Sequence, residues 1–131
     1  MQTTPSLPTG SKILVVDDDS VFYRSINLGL RKKGWTCVWC LDAHSALEAA
    51  QNYQPDVVMM DVHLPDGDGM TLVRQLREQG YPGRVLVVTG DANAAAKARL
   101  DSRSADVDEV VLEKPFSMRA LHGYLRQLTE H

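Results

Sequence analysis

The sequence predicts an α/β fold with a doubly wound sheet of five parallel strands, because two patterns alternate along almost its whole length. Short runs rich in Val, Ile, Leu and Met lack polar alternation, as expected of strands that are covered on both faces. A segment with apolar residues at helical spacing follows each run. Repeated strand–helix units form a parallel sheet with right-handed crossovers and helices on both faces. The five runs are residues 12–17, 35–41, 56–61, 84–89 and 109–113.

The first helix is predicted to have Ser20 as its N-cap and to end at Gly34, which suits the C′ position. Between them Phe22, Ile26 and Leu30 recur every four residues and form an apolar stripe. The other helices are expected over about 42–53, 69–79, 93–103 and 117–129. Their predicted buried residues, apart from the weakly amphipathic fourth helix, are Ala46, Leu47, Ala50, Leu72, Val73, Leu76, Leu121, Leu125 and Leu128.

Length and composition indicate one ordinary globular domain, since the 131 residues are 44% hydrophobic and 24% charged. We expect residues 1–11 to be a flexible lead-in and residues 12–129 to be the domain. The net charge of −3 argues against a nucleic-acid-binding surface, and no apolar stretch approaches the roughly 18–20 residues of a membrane span. Two cysteines without an export signal predict a cytoplasmic protein.

Cys37 and Cys40 form a C-x-x-C motif inside the predicted second strand. Residues three apart on a strand point to opposite faces. A redox pair favours a helix N-terminus, and a zinc site needs further ligands, whereas only His44 is nearby. We therefore expect structural cysteines, with metal or redox use as the alternative.

Polar residues follow four of the predicted strands at the edge where an open parallel sheet binds its ligands. Three consecutive acids, including Asp17 and Asp18, follow the first strand, and Asp61, Thr89 and Lys114 end or follow the third, fourth and fifth. Two like charges about 4 Å apart near a protein surface repel by roughly 4 kcal/mol, so converging acids need a cation. Their oxygens suit Mg²⁺. Lys114 and Thr89 are the cation and hydroxyl donor that a phosphoryl group needs.

These motifs resemble the receiver domains of bacterial two-component response regulators, the CheY-like superfamily. The marks are the acidic pair after the first strand, Asp61 in VVMMDVHLPDGDG, Thr89 in VLVVTG and Lys114 in EKPF. The resemblance covers residues 12–128 and implies the flavodoxin-like strand order 2-1-3-4-5. It also implies a cis bond between Lys114 and Pro115.

The resemblance implies that Asp61 is the phosphoacceptor, supplied by a histidine kinase, a phosphotransfer protein or a small donor such as acetyl phosphate. Mg²⁺ or Mn²⁺ would bind Asp18 directly, Asp17 mostly through water, Asp61, and the backbone carbonyl of His63. No external substrate would be turned over, and the only chemistry would be self-phosphorylation and autodephosphorylation.

Further roles follow from the same resemblance. Lys114 would pair with the phosphoryl oxygens, and Thr89 would move inward to donate a hydrogen bond to one of them. Asp19 would point away from the site. The family places residues that tune the phosphate lifetime at the positions of His63 and Asp91, so a tuning role and a solvent-facing role both stay open for these two side chains.

The resemblance also implies a switch that acts on a downstream protein or a detached effector domain. The fourth helix, fifth strand and fifth helix would form the output face, with a phosphorylation-dependent dimer as one outcome. The sequence departs from the family on this face. Val111 replaces the usual Tyr or Phe, the region 97–109 is about three residues longer than usual, and the common Gly-Ala-Asp before the fifth strand is blurred.

Two other functions stay open at the level of sequence. Asp17-x-Asp19 has the nucleophile spacing of haloacid-dehalogenase-like phosphatases, although the usual cap domain has no room in 131 residues. An interaction module that kept the fold without phosphorylation is the second. A stand-alone receiver and a piece of a longer regulator are both compatible with the sequence.

Overall fold

Five parallel strands form one sheet in the computed structural model, which describes residues 10–104 and 109–128. They are β1 (Lys12–Val16), β2 (Thr36–Cys40), β3 (Val57–Asp61), β4 (Arg84–Thr89) and β5 (Glu109–Glu113). Their order across the sheet is β2-β1-β3-β4-β5, which confirms the predicted order 2-1-3-4-5. The Lys114–Pro115 bond is cis, also as predicted.

Five helices connect and follow these strands, and each starts and ends close to its predicted bounds. They are α1 (Ser20–Lys32), α2 (Ala43–Tyr53), α3 (Gly69–Glu78), α4 (Ala92–Ser104) and α5 (Met118–Leu128). Residues 1–9, 105–108 and 129–131, and the side chains of residues 101–104, 109 and 126–128, lie outside the described part. Most of the predicted lead-in, residues 105–108 of the lengthened region and the predicted burial of Leu128 therefore fall outside it. None of the described helices is long and apolar enough to cross a membrane.

The start of α1 corrects one prediction, because Asp19 and not Ser20 is the N-cap. Its carboxylate accepts hydrogen bonds from the main-chain N–H groups of Val21 and Phe22 at 3.0 and 3.1 Å. An aspartate at the N-cap satisfies two otherwise unpaired N–H groups and places a negative charge at the positive end of the helix. At the other end Gly34 has φ +83°, as expected of a C′ glycine.

Two apolar clusters cover the two faces of the sheet. In the first cluster, α2, α3 and α4 pack against Leu14, Val58 and Val87. In the second, α1 and α5 pack against Val15 and Met59, the residues that follow Leu14 and Val58 along their strands. Successive strand residues point to opposite faces, which is why neighbours belong to different clusters. Among the predicted apolar residues of the helices, Phe22 and Leu47 are partly buried. The others that the structure describes are buried, namely Ile26, Leu30, Ala46, Ala50, Leu72, Val73, Leu76, Leu121 and Leu125.

The two cysteines of the C-x-x-C motif lie on opposite faces of β2, as predicted. Cys37 packs against one apolar cluster and Cys40 belongs to the other, and both are free thiols. Burial raises the pKa of Cys37 to about 11, so its thiol is protonated at neutral pH. The geometry therefore favours structural cysteines over a redox pair.

A short hairpin after β3, which the sequence did not predict, joins this strand to helix α2. Its strands His63–Leu64 and Gly67–Asp68 pair antiparallel. The turn residue Asp66 accepts hydrogen bonds from the N–H groups of Ala43 and His44 at 2.8 and 3.0 Å, one on each carboxylate oxygen. Helix α2 thus receives a second N-terminal cap from a residue 23 positions away in sequence.

The turn between α3 and β4 is held by one tyrosine and one arginine. The buried Tyr81 hydroxyl donates to the Pro55 carbonyl at 3.0 Å. The Arg77 guanidinium donates to the carbonyls of Tyr81 and Gly83 at 2.9 and 2.7 Å. These bonds fix the strand-start edge of the sheet, opposite the edge where the predicted site residues lie.

Replacing Asp66 by Asn is expected to lower stability at neutral pH, because an amide has one acceptor oxygen for the two N–H groups of α2. Those N–H groups, Ala43 first, hold the pKa of Asp66 below its ordinary value of 3.8. A lowered pKa gives stability that is present above 3.8 and lost as pH falls through the native pKa. The loss caused by D66N should therefore shrink below pH 4.

Urea unfolding of wild type and D66N between pH 7 and pH 3 measures this effect. Glu48→Gln, which neutralises an exposed carboxylate on the same helix, is the matched control. If the unfolding free energies of D66N and E48Q changed with pH in the same way, the assignment of Asp66 as a specific cap of α2 would be contradicted.

Replacing Tyr81 by Phe is expected to cost about 1–3 kcal/mol of unfolding free energy, since the Pro55 carbonyl loses its buried donor while the ring remains. Tyr53→Phe is the control. The Tyr53 hydroxyl lies 3.1 Å from Thr36 Oγ1 in an exposed contact, so this change should cost under about 1 kcal/mol. Chemical denaturation of the two variants tests the difference, and equal costs would refute it.

Candidate functional site at the carboxyl edge of the sheet

Four of the predicted site residues stand at the same edge of the sheet because each ends or follows a strand. Asp17 follows β1, Asp61 ends β3, Thr89 ends β4 and Lys114 follows β5. These four strands are consecutive neighbours in the sheet. Parallel strands present their carboxyl ends to one edge, so the topology alone brings the side chains close together.

The Lys114 ammonium joins two of the acids. Its Nζ atom lies 2.7 Å from Asp17 Oδ2 and 3.4 Å from Asp61 Oδ2. The three side chains are 17%, 1% and 14% exposed for Lys114, Asp17 and Asp61. The same ammonium lies over the Phe22 ring, 4.0 Å from its centre, and makes a cation–π contact. The site is therefore a largely desolvated cluster of two carboxylates and one cation.

Burial makes the negative charge on the Asp17 carboxylate unfavourable. Burial raises the pKa of its carboxyl above the ordinary value, and the hydrogen bond from Lys114 opposes the rise without cancelling it. Its second oxygen, Oδ1, accepts the main-chain N–H of Asp19 at 2.9 Å. Two ionised carboxylates facing one ammonium leave an excess negative charge, which an added cation would compensate.

The backbone around Asp61 is equally confined. The N–H of His63 donates to Asp61 Oδ1 at 3.0 Å, and the N–H of Gly69 donates to the Val62 carbonyl at 2.8 Å. A Cβ atom at position 69 would collide with the Asp61 carbonyl, so only glycine allows α3 to begin this close to β3. The carboxylate is thereby held at the site by its own loop.

Thr89 and Asp18 occupy opposite environments. Thr89 is fully buried, its hydroxyl oxygen accepts the N–H of Asp91 at 3.2 Å, and its carbonyl accepts the N–H of Lys114 at 2.7 Å. Asp18 is exposed immediately after the buried Asp17. The structure thus brings Asp17, Asp61 and Lys114 into contact, ties Thr89 to Lys114 through the main chain, and leaves the Asp18 carboxylate facing solvent.

The donor chemistry fits Mg²⁺. Within residues 10–104 and 109–128, no three His, Cys, Asp or Glu side chains are grouped so that they alone could hold a metal ion. Mg²⁺ does not need such a cage, since it keeps several waters and uses one or two carboxylates. Asp17, Asp18, Asp61 and the His63 carbonyl offer only oxygen atoms, and the acids exceed the one ammonium in charge. These residues could therefore hold the ion.

His63 and Asp91 form a side-chain hydrogen bond between the loops that follow β3 and β4. His63 Nε2 lies 3.1 Å from Asp91 Oδ2, and the side chains are 66% and 45% exposed. The other oxygen of Asp91 caps α4 by accepting the N–H groups of Asn93 and Ala94. These bonds, Ala94 first and then His63, hold the pKa of Asp91 below its ordinary value. The loops that follow β3 and β4 are thereby joined.

Sequence reasoning missed three contacts that shape the site. Phe22 lies beneath Lys114, Asp66 caps α2, and the indole N–H of Trp39 donates to the Asp17 carbonyl at 2.7 Å. Each joins residues that are distant in sequence, and the residues near them give no local pattern for it. Asp19, in contrast, points away from the site as predicted, because its carboxylate caps α1.

Comparison with protein families matches residues 13–126 to the response regulator receiver domain. A curated relative, the probable transcriptional regulatory protein TcrX of Mycobacterium tuberculosis, is 37% identical over 116 residues, which are 88% of this chain and 48% of that protein. The Vibrio cholerae chemotaxis protein CheY4 superposes with a TM-score of 0.81 at 25% identity, covering 91% of this chain and 98% of that one.

A second solved structure, the beryllofluoride-activated NtrC4 receiver domain dimer, superposes with a TM-score of 0.77 at 26% identity, covering 91% of this chain and 96% of that one. The chain spans about half the length of the curated relatives it matches. The family match covers all four strand-end residues and most of the chain. The chain therefore belongs to the response regulator receiver domain family of two-component systems, with the CheY-like fold.

Proposed function

We propose that this domain accepts a phosphoryl group on Asp61, with Mg²⁺ or Mn²⁺ held by Asp17, Asp18, Asp61 and the backbone carbonyl of His63. The observation that carries the proposal is the cluster at Lys114, whose ammonium is shared by Asp17 at 2.7 Å and Asp61 at 3.4 Å. An acceptor carboxylate beside a fixed cation and a second, buried acid is the arrangement that phosphoryl transfer onto aspartate needs.

In the proposed reaction, one Asp61 oxygen forms a bond to phosphorus while the bond between phosphorus and the donor breaks. The donor atom leaves with the electron pair, for example as acetate from acetyl phosphate. The bound divalent ion would supply neutralisation of the phosphoryl charge. Lys114 would hold the phosphoryl oxygens, and Thr89 would hydrogen-bond one of them. Attack of water on the phosphorus would then break its bond to Asp61, release inorganic phosphate and restore the carboxylate. Self-phosphorylation and autodephosphorylation are the only chemistry that we propose for the domain.

The partners follow from the family and remain proposals. A histidine kinase or a phosphotransfer protein would supply the phosphoryl group in the cytoplasm. The output would be a downstream protein or an effector domain, reached through the face formed by α4, β5 and α5. TcrX is named as a transcriptional regulator and NtrC4 as a dimer in the beryllofluoride-activated state. By analogy, phosphorylation of this domain would favour self-association or release an effector.

The geometry disfavours the haloacid-dehalogenase-like alternative. That reaction needs Asp17 as an accessible nucleophile and Asp19 as its acid–base partner. The Asp17 side chain is 1% exposed and paired with Lys114, and the Asp19 carboxylate is engaged as the cap of α1. An interaction module that is never phosphorylated remains the second candidate, and the following experiment separates it from the proposal.

Incubation with acetyl phosphate and Mg²⁺ is expected to add one phosphoryl group to the wild-type protein, measured as intact mass. Asp61→Asn should show no adduct, because the amide is not a competent nucleophile, and chelation of the metal should abolish the wild-type adduct. Asp66→Asn is the matched control. It neutralises an exposed acid in the same loop and should still be phosphorylated.

A wild-type protein that shows no adduct is then titrated with beryllofluoride, which needs no phosphodonor chemistry. Binding that depends on Mg²⁺ and on Asp61 would leave the proposal in place and indicate rapid hydrolysis or a refused donor. A folded protein that binds neither reagent would refute the proposal in favour of the interaction module.

Replacing Lys114 by Gln is expected to cost about 3 kcal/mol of unfolding free energy in metal-free buffer, since it leaves the buried Asp17 and the nearby Asp61 without their cation. Addition of Mg²⁺ should recover part of this loss. Urea denaturation with EDTA and with Mg²⁺ measures both effects. Arg99→Gln breaks the exposed pair with Glu113 and should cost under about 1 kcal/mol. A similar cost for both variants would contradict the assignment of Lys114.

A further inference from the structure

Trp39, on the edge strand β2, contacts both sides of the acidic turn that follows β1. Its indole N–H donates to the main-chain carbonyl of Asp17 at 2.7 Å. Its ring stacks on Tyr23 of α1, with centroids 4.8 Å apart and planes inclined by 8°. One side chain therefore links the edge strand, the carbonyl that precedes Asp18, and the helix that begins after it.

Other hydrogen bonds fix the main chain of the same turn. The Asp17 N–H donates to the Cys40 carbonyl at 3.1 Å, and the Asp19 N–H donates to Asp17 Oδ1 at 2.9 Å. With the indole on its carbonyl, Asp17 has partners at its N–H, its C=O and both carboxylate oxygens. Asp18, between these fixed residues, is exposed.

We propose that Trp39 is a positioning residue for the metal site, which orients the Asp18 carboxylate through its hydrogen bond to the Asp17 carbonyl. The inference rests on the proposed function, in which Asp18 is the direct metal ligand. The peptide unit between Asp17 and Asp18 is planar, so the direction of the Asp17 carbonyl sets the direction from which the Asp18 main chain departs. Holding that carbonyl limits the positions that the Asp18 side chain can reach.

The chemistry of an indole suits this position. Its N–H is a donor only and carries no charge, so it secures the turn without competing with a cation for the acids. A lysine or arginine here would add a second positive charge beside Lys114 and weaken attraction for a divalent ion. The stack on Tyr23 restricts rotation of the ring and keeps the N–H aimed at the carbonyl.

Trp39→Phe tests the proposal, because phenylalanine keeps an aromatic ring for the stack and removes the donor. Mn²⁺ binding is measured directly from the electron paramagnetic resonance signal of the free ion, without any phosphorylation. Loss of one hydrogen bond that orients a ligand should raise the dissociation constant between about threefold and tenfold. Phosphorylation of the W39F variant by acetyl phosphate should be slower than that of the wild type at low Mn²⁺ and should reach the wild-type rate at saturating Mn²⁺.

Thr36→Val is the matched control on the same strand. It removes the hydroxyl contacts of Thr36 with the Ser11 carbonyl and Tyr53, at the end of β2 away from the acidic turn. This variant should bind Mn²⁺ like the wild type even if its unfolding free energy falls. Circular dichroism and urea unfolding establish that both variants are folded under the binding conditions.

The possible outcomes distinguish the proposed role of Trp39 from the proposed metal site and phosphoacceptor. Weaker Mn²⁺ binding by W39F alone, with the rate rescued at saturation, supports a positioning role. Unchanged binding by W39F, or an equal loss in T36V, overturns the role of Trp39 and leaves the phosphoacceptor proposal standing. Wild-type protein that binds no Mn²⁺ overturns the metal site and, with it, the role of Trp39.

Discussion

The contact between Lys114 and the two aspartates is the constraint on which the rest of this structure depends. It joins the ends of β1, β3 and β5, so each of these strands must reach the same edge in parallel orientation. Burial raises the pKa of Asp17, and the hydrogen bond from the Lys114 ammonium lowers it. Stability alone does not require such a buried ion pair, since well-packed apolar side chains of similar volume often serve equally well.

Most of the local structure at this edge holds those charges in place. Asp19 caps α1, His63 donates its N–H to Asp61, and Gly69 lets α3 approach β3. Each contact fixes main-chain groups of a turn. Without these contacts the turns could move and so separate the Asp17 and Asp61 carboxylates, which repel each other. Burial of the apolar clusters on both faces of the sheet stabilises the fold and offsets the free energy lost by desolvating these charged groups.

The sequence predicted the strands, the helix faces and the charged residues of the edge, because each depends on local periodicity or on strand ends. The strand order came from the resemblance. Local reasoning placed the cap of α1 at Ser20 although Asp19 takes that role, since both residue types can cap and backbone geometry decides between them. The hairpin after β3 was missed, because strands of two residues show no periodicity. The contacts Trp39–Asp17 and Asp66–Ala43 join residues 22 and 23 positions apart, which no local signal encodes.

Val111, which stands on β5 where the family usually has Tyr or Phe, is buried in the core. Two polar contacts connect the loop after Asp61 to neighbouring helices. His63 pairs with Asp91 at the N-terminus of α4, and Asp66 caps α2. A phosphoryl group would add roughly −1.5 to −2 charges beside this loop. A shift of this loop would act on both helices, because Asp66 of the loop caps α2 directly and His63 of the loop contacts Asp91, the residue that caps α4.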